Sequence, residues 1–271
     1  QTSIDVIPPL AGFIGSDLLA GMVATDLQTF ESPSLLIDFG TNSESVLVAN
    51  GNTWATSSSG GPAFEGMGLS CGMPAMAGVI YRSGFEPKTQ QWHFDVIDSD
   101  DATGICGSGL VNLLALLLKH DLIGPTGNFS QGGYRWQLPG TAEHLYVEKA
   151  DVDIIQRAKA AIATGIEILC EAAGITFEDI GQIYVGGAFG WYLDTQSAKA
   201  IGLLPPIASE KIHPVGNSAL SGAIKALYSE EACKEMHQQI GSIIQIINMS
   251  HSENFESLFL KHLYLAPMEV G

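Results

Sequence analysis

Across residues 35–48 the chain runs apolar, bends at a glycine and returns, with Asp38-Phe39-Gly40-Thr41-Asn42-Ser43-Glu44 at the bend. Those residue types at that spacing can grip a phosphate. Gly40 lets the backbone approach a ligand, Thr41 and Asn42 offer backbone N–H and side-chain donors, and Asp38 can hold Mg²⁺ through water. Asp38 and Glu44 are the candidate catalytic carboxylates, Asp38 the candidate metal ligand, and Gly40, Thr41 and Asn42 candidate phosphate contacts. The same residues also suit an ordinary hairpin whose Asp and Asn only satisfy the turn.

Three further turns could meet a ligand. Gly104-Ile105-Cys106-Gly107-Ser108-Gly109 opens an apolar stretch at 110–118. Gly107 and Ser108 there could aim free N–H groups at an anion, or the glycines could pack a helix closely with Ser108 as its N-cap. Cys106 has no paired histidine and reads as a small buried residue. Val185-Gly186-Gly187-Ala188-Phe189-Gly190 leaves a strand at its carboxyl end, where Gly186, Gly187 and Gly190 could lie flat against an adenine or a phosphate. Gly216-Asn217-Ser218 is another strand-to-helix turn, in which Asn217 could touch a ligand or simply cap the helix.

The elements that must position these turns follow from periodicity. Helices are expected at 16–25, with Ser16 or Asp17 as cap, at 110–118, at 151–173 with Asp151 or Asp153 near its N-cap and Gly174 at its C-cap, at 195–201 and at 218–228. Strands are expected at 35–37, 46–48, 53–57, 77–81, 92–97, 182–185 and 212–215, with 126–140 as an irregular excursion. Strands alternating with helices in the second half make the chain α/β.

Composition narrows the function. The chain has 271 residues, 46% of them apolar, and 12 basic against 29 acidic residues give a formal charge of −17. That field argues against nucleic acid as a partner and repels free nucleotide, so an ATP site here must rely on Mg²⁺, backbone dipoles and a local lysine. No apolar run approaches a membrane span, and the amino terminus lacks a secretory pattern, so a soluble, cytoplasmic protein with no membrane partner is expected. Cys71, Cys106, Cys170 and Cys233 are scattered, without a metal-type pair.

An Asp-Gly-Thr hairpin, a long helix, then two strands that each end in glycine is an order that resembles the actin-like ATPases, which include sugar kinases and the seventy-kilodalton chaperones. Asp38-Phe39-Gly40-Thr41 looks like their second phosphate motif and Gly186-Gly187 like their adenosine motif. Gln156-Arg157-Ala158-Lys159 resembles a chaperone helix that touches ribose and adenine, which would make Lys159 a nucleoside contact; Gln156 and Ala160 depart from that pattern. Taken alone, Lys159 reads equally as an exposed helical lysine.

Four stretches together, 37–44, 60–66, 104–109 and 185–190, resemble the carboxy-terminal actin-like domain of the reductive activators of corrinoid proteins. The resemblance implies a ribonuclease H-like lobe with a central mixed sheet, flanking helices and insertions at about 57–103 and 124–148. It implies ATP and Mg²⁺ as cofactors, and a corrinoid protein or corrinoid-dependent methyltransferase as partner. It further implies ATP-driven return of Co(II) corrinoid to Co(I), with electrons from a ferredoxin-like 2Fe–2S module. Neither that module nor the family's first phosphate motif is found in residues 1–271, so a second lobe that turns over little ATP by itself is expected. A small-molecule kinase of the same fold, with Asp38 or Glu44 as base, and a non-enzymatic interaction module are the alternatives. The loop at 57–78 is the candidate partner surface, or else packing over the sheet.

Overall fold

The computed structural model describes residues 6–12, 14–234 and 244–269. Its centre is a six-stranded sheet. Strands β1 (Ser34–Asp38), β2 (Ser43–Ala49) and β3 (Asn52–Ser58) form an antiparallel meander. Strands β9 (Gln182–Gly186) and β10 (Ile212–Gly216) lie parallel to β1 on one side, and β11 (Ile244–Ile246) lies parallel to β3 on the other, for the order β10-β9-β1-β2-β3-β11.

Period-two alternation sorts the sheet into two cores. Leu35, Ile37, Leu47 and Trp54 face the long helix α3 (Lys149–Ala173) and its buried Ile155, Ile162 and Ile166. Leu36, Val46 and Ala55 face the other way, onto Leu18, Leu19 and Val23 of α1 (Ser16–Ala24), which packs with α6 (Ser218–Tyr228). Helix α3 lies in the connection that carries the chain from the meander to the parallel strand β9.

The segments between 59 and 148 hold a smaller sheet and a hairpin. Strands β5 (Gln91–Val96), β4 (Val79–Glu86) and β6 (Gly104–Ile105) pair in that order against α2 (Gly107–Lys119). The expected irregular stretch 126–140 contains a strand, β7 (Arg135–Gln137), paired with β8 (Tyr146–Glu148). The short helices α4 (Ala188–Trp191) and α5 (Thr195–Ala200) follow β9, and α7 (Phe255–His262) lies along α3.

Three helix starts differ from expectation. Gly15, not Ser16 or Asp17, is the N-cap of α1. Cys106 takes that position for α2, which puts Ser108 inside the helix. Helix α3 starts at Lys149 because Glu148 and Asp151 form a reciprocal capping box, and Asp151 also accepts from Ser70 N at 2.8 Å. Its expected end holds: Gly174 closes α3 with φ +66°. Beyond Tyr228, β11 and α7 are elements that periodicity did not reveal.

Candidate functional site

Asp38 ends β1 and Glu44 lies directly opposite it on β2. Both point to the α1 face of the sheet, one strand step beyond the Leu36–Val46 pair. Burial first, and the nearby Asp17 carboxylate second, push Asp38 up to about 6. Burial, then Asp17 and Asp38, push Glu44 up to about 7, against the lowering effect of a backbone bond and of Ser57 Oγ, which donates to Glu44 Oε1 at 3.4 Å. Among the described residues no cation lowers either acid, and the three carboxylates leave charge that a divalent ion would compensate.

Beside Asp38 the chain has no side chains in the way. Gly186 is the register partner of Asp38 on β9. A Cβ on Gly186 would lie 3.1 Å from Asp38 Oδ1 and 2.9 Å from Ser218 Oγ. Ser218 is buried and its hydroxyl has no hydrogen-bond partner, so an unsatisfied donor lies near the acid. Gly187 has φ +86°, a Cβ there would collide with the Phe39 carbonyl, and its N–H donates to Gly216 O at 2.8 Å. Side-chain-free backbone from β9 and the end of β10 thus meets the end of β1 at one rim.

The turn itself is exposed and braced. Thr41 Oγ1 donates to Glu65 Oε2 at 3.2 Å, Gly61 N–H donates to Thr41 O at 3.1 Å, and Ser59 Oγ donates to Asn42 Oδ1 at 3.2 Å. Gly40 lies tight against the Asn42 carbonyl, 3.1 Å from where a Cβ would sit. The bracing loop is anchored by Phe64, whose ring meets Phe39 at 5.7 Å and Phe189 at 4.9 Å between centroids.

The other expected residues divide. Gly216 is buried beneath the Trp191 ring with φ +60°, and Asn217 caps α6 by accepting from Leu220 N at 2.8 Å. Gly190 packs back on β9, with the Val185 carbonyl 2.8 Å from where a Cβ would lie. Gly107 and Ser108 are buried rather than open to an anion: the Phe64 carbonyl occupies the space a side chain on Gly107 would need, and Ser108 Oγ lies 3.1 Å from Cys106 Sγ. The glycines opening α2 are therefore packing devices. Lys159 has no exposed surface, so it is neither a surface lysine nor placed to face a nucleoside. Burial outweighs the helical pattern that suggested otherwise.

Asp17 and Ser218 escaped sequence reading because each was taken for a helix-end residue; Glu65 lay unremarked in the Gly60–Gly66 stretch. Among the described residues no group of three or more His, Cys, Asp or Glu is arranged to hold a metal ion by itself. Magnesium does not need one, since it keeps waters and takes one or two carboxylates beside substrate phosphates.

A three-stranded meander followed through a helix by two parallel strands, with an acidic turn and glycine strand ends at one rim, defines an actin-like lobe of the ASKHA class. Residues 32–270 match the family model described as the C-terminal domain of RACo, the ASKHA domain, and the chain belongs to that family. It is 34% identical over 252 residues to the corrinoid activation enzyme RamQ of Eubacterium limosum, covering 84% of this chain and 42% of RamQ. It is 30% identical over 287 residues to the [Co(II) methylated amine-specific corrinoid protein] reductase of Methanosarcina barkeri, covering 95% of this chain and 51% of that protein. The solved structure of a reductive activator for corrinoid, iron–sulfur protein superposes with a TM-score of 0.87 at 30% identity, over 97% of this chain and 44% of that one. The chain thus spans about half the length of the curated relatives it matches. No helix among the described residues is long and apolar enough to cross a membrane.

Proposed function

We propose that the chain is the nucleotide-holding lobe of a reductive activator that returns Co(II) corrinoid proteins to Co(I) for methyl transfer. The observation that carries this reading is the junction of Asp38 with Gly186 and Gly187 at one rim of the sheet. Asp38 would organise Mg²⁺, with Glu44 as the second acid. Gly40, Thr41 and Asn42 would line phosphate, and Gly186 and Gly187 the nucleoside.

The residues present fit such a group. Among the described residues the acid pair has no counter-charge, and the backbone beside it is bare. When bound, MgATP supplies free energy for an otherwise uphill reduction, through different affinities for the corrinoid partner before and after hydrolysis. This chain's residues would bind and orient: the turn amides would meet phosphate charge, Asp38 would take part in holding the cation, and the Phe64 anchor braces the turn. The residues here do not fit a 2Fe–2S cluster. Cys106 and Cys170 are buried on different helices, and Cys71 Sγ is engaged with the Tyr146 carbonyl at 2.9 Å. Electron entry belongs to another module, and a second phosphate clamp to another lobe of the complete activator.

Calorimetric titration of ADP with Mg²⁺ and with chelator, on this chain and on a version extended upstream, tests the assignment. Mg²⁺-dependent binding that is stronger in the extended form and lost in Asp38→Ala is expected. Absence of binding in both forms would overturn it.

A further inference from the structure

Lys159 heads the fully buried side chains by volume, and its Nζ has no hydrogen-bond partner. Three elements enclose it. It projects from α3; the turn after α5 presents Gly202, where a Cβ would lie 3.2 Å from Lys159 Nζ; and the same point would collide with the Ala266 carbonyl of the segment 263–268. That segment is fastened across α3 by Gln156 Nε2 donating to Leu263 O and Leu265 N–H donating to Pro125 O, each at 2.8 Å, with Leu265 and Met268 buried. A charged amine without a partner in such a place is strongly disfavoured against the neutral form.

We propose that Lys159 makes the segment 263–268 a pH-sensitive strap, closed over the amine while it is uncharged and lifted when the amine takes up a proton and requires water. Burial by itself lowers Lys159 from 10.5 to about 7, with no carboxylate or second cation contributing. The charged groups on the enclosing elements are engaged elsewhere. Lys199 donates to Ile207 O and Ser209 Oγ, Glu269 lies 3.8 Å from Lys261, and His262 meets Glu167 at 2.5 Å. One residue away, Ala158 packs against Gly60, whose neighbour Gly61 donates to Thr41 O. Lifting the strap would thus loosen the helix that backs the Asp38 turn. This last link rests on the function proposed above; the strap's response to pH does not.

Hydrogen exchange of this chain between pH 6 and 8.5, corrected for intrinsic rates, reads the strap through the Leu265 amide. As pH is lowered from 8.5 toward 7 its protection should fall by up to about tenfold per pH unit in the wild type and level off below about 7, where closed and opened forms both carry the proton; it should be flat in Lys159→Met. Equal pH dependence in the two would overturn the proposal. Should Lys159→Met not fold, ¹³Cε resonances of the wild-type lysines serve instead. A Lys159 midpoint near neutrality, coinciding with the pH below which Leu265 exchange stops changing, supports the strap, and a midpoint near the ordinary lysine value overturns it. Either result stands whether or not the chain binds nucleotide.

Discussion

Asp38 and Glu44 are direct partners across β1 and β2, and each holds its proton well above the usual carboxylate range. Like charges on facing strands oppose each other, and the third carboxylate, Asp17, comes from a helix packed on the same face. A fold built for stability alone would place a cation or a neutral side chain here. The cluster stores repulsion that a cation, if bound there as proposed, would relieve.

The first consequence is a stability that falls with rising pH. An acid whose folded pKa lies above its unfolded value favours the folded state at low pH, and that advantage is lost as pH climbs from about 4 through about 7 for Asp38 and Glu44. Asp38→Asn keeps the shape and removes the charge. It should match the wild type near pH 4 and exceed it by about 1–3 kcal/mol at pH 7.5 in urea unfolding. A variant less stable than the wild type at pH 7.5 would mean that the charged form is favoured by a contact not seen here.

The second consequence concerns binding. If MgADP neutralises the cluster, it must displace the protons that Asp38 and Glu44 carry below about pH 7. Calorimetry at pH 6 in buffers of different ionisation enthalpy should show release of roughly one to one and a half protons per nucleotide, shrinking toward zero by pH 8.5. Binding with no buffer dependence at pH 6 would exclude the acids from the cation site.

Much of this was legible in the chain and some was not, for physical reasons. The β1–β2 hairpin, the strand into Gly186-Gly187 and α6 announce themselves because local periodicity and bare glycines determine them. Asn217 could be read as a cap from its place before an apolar helix, and it caps. The three residues of β11 and the eight of α7 carry too little pattern of their own; docking on β3 and α3 makes them regular. Asp17 and Ser218 stand 21 and 180 positions from Asp38, and sheet topology alone brings them to it. Lys159 was misplaced because a lysine on a helix is normally solvated, and its burial follows from chain that arrives a hundred residues later.

The third prediction joins the 57–66 loop to the turn it braces. Phe64 is buried between Phe39, which follows Asp38, and Phe189, which follows Gly187 and Ala188, with ring centroids 5.7 and 4.9 Å away. The same loop supplies Glu65 to Thr41 and Gly61 to the Thr41 carbonyl. Phe64→Ala should therefore cost about 3–5 kcal/mol as a cavity in the core, while Phe64→Leu costs less because it fills most of the volume. The distinguishing signature is coupling. Thr41→Ala alone removes one exposed hydroxyl contact and should change stability by less than about 1 kcal/mol, but combined with Phe64→Leu its effect on MgADP affinity should be non-additive, because both act through the same turn. A double-mutant cycle in affinity that closes to within about 0.3 kcal/mol would show that the loop packs beside the turn without holding it.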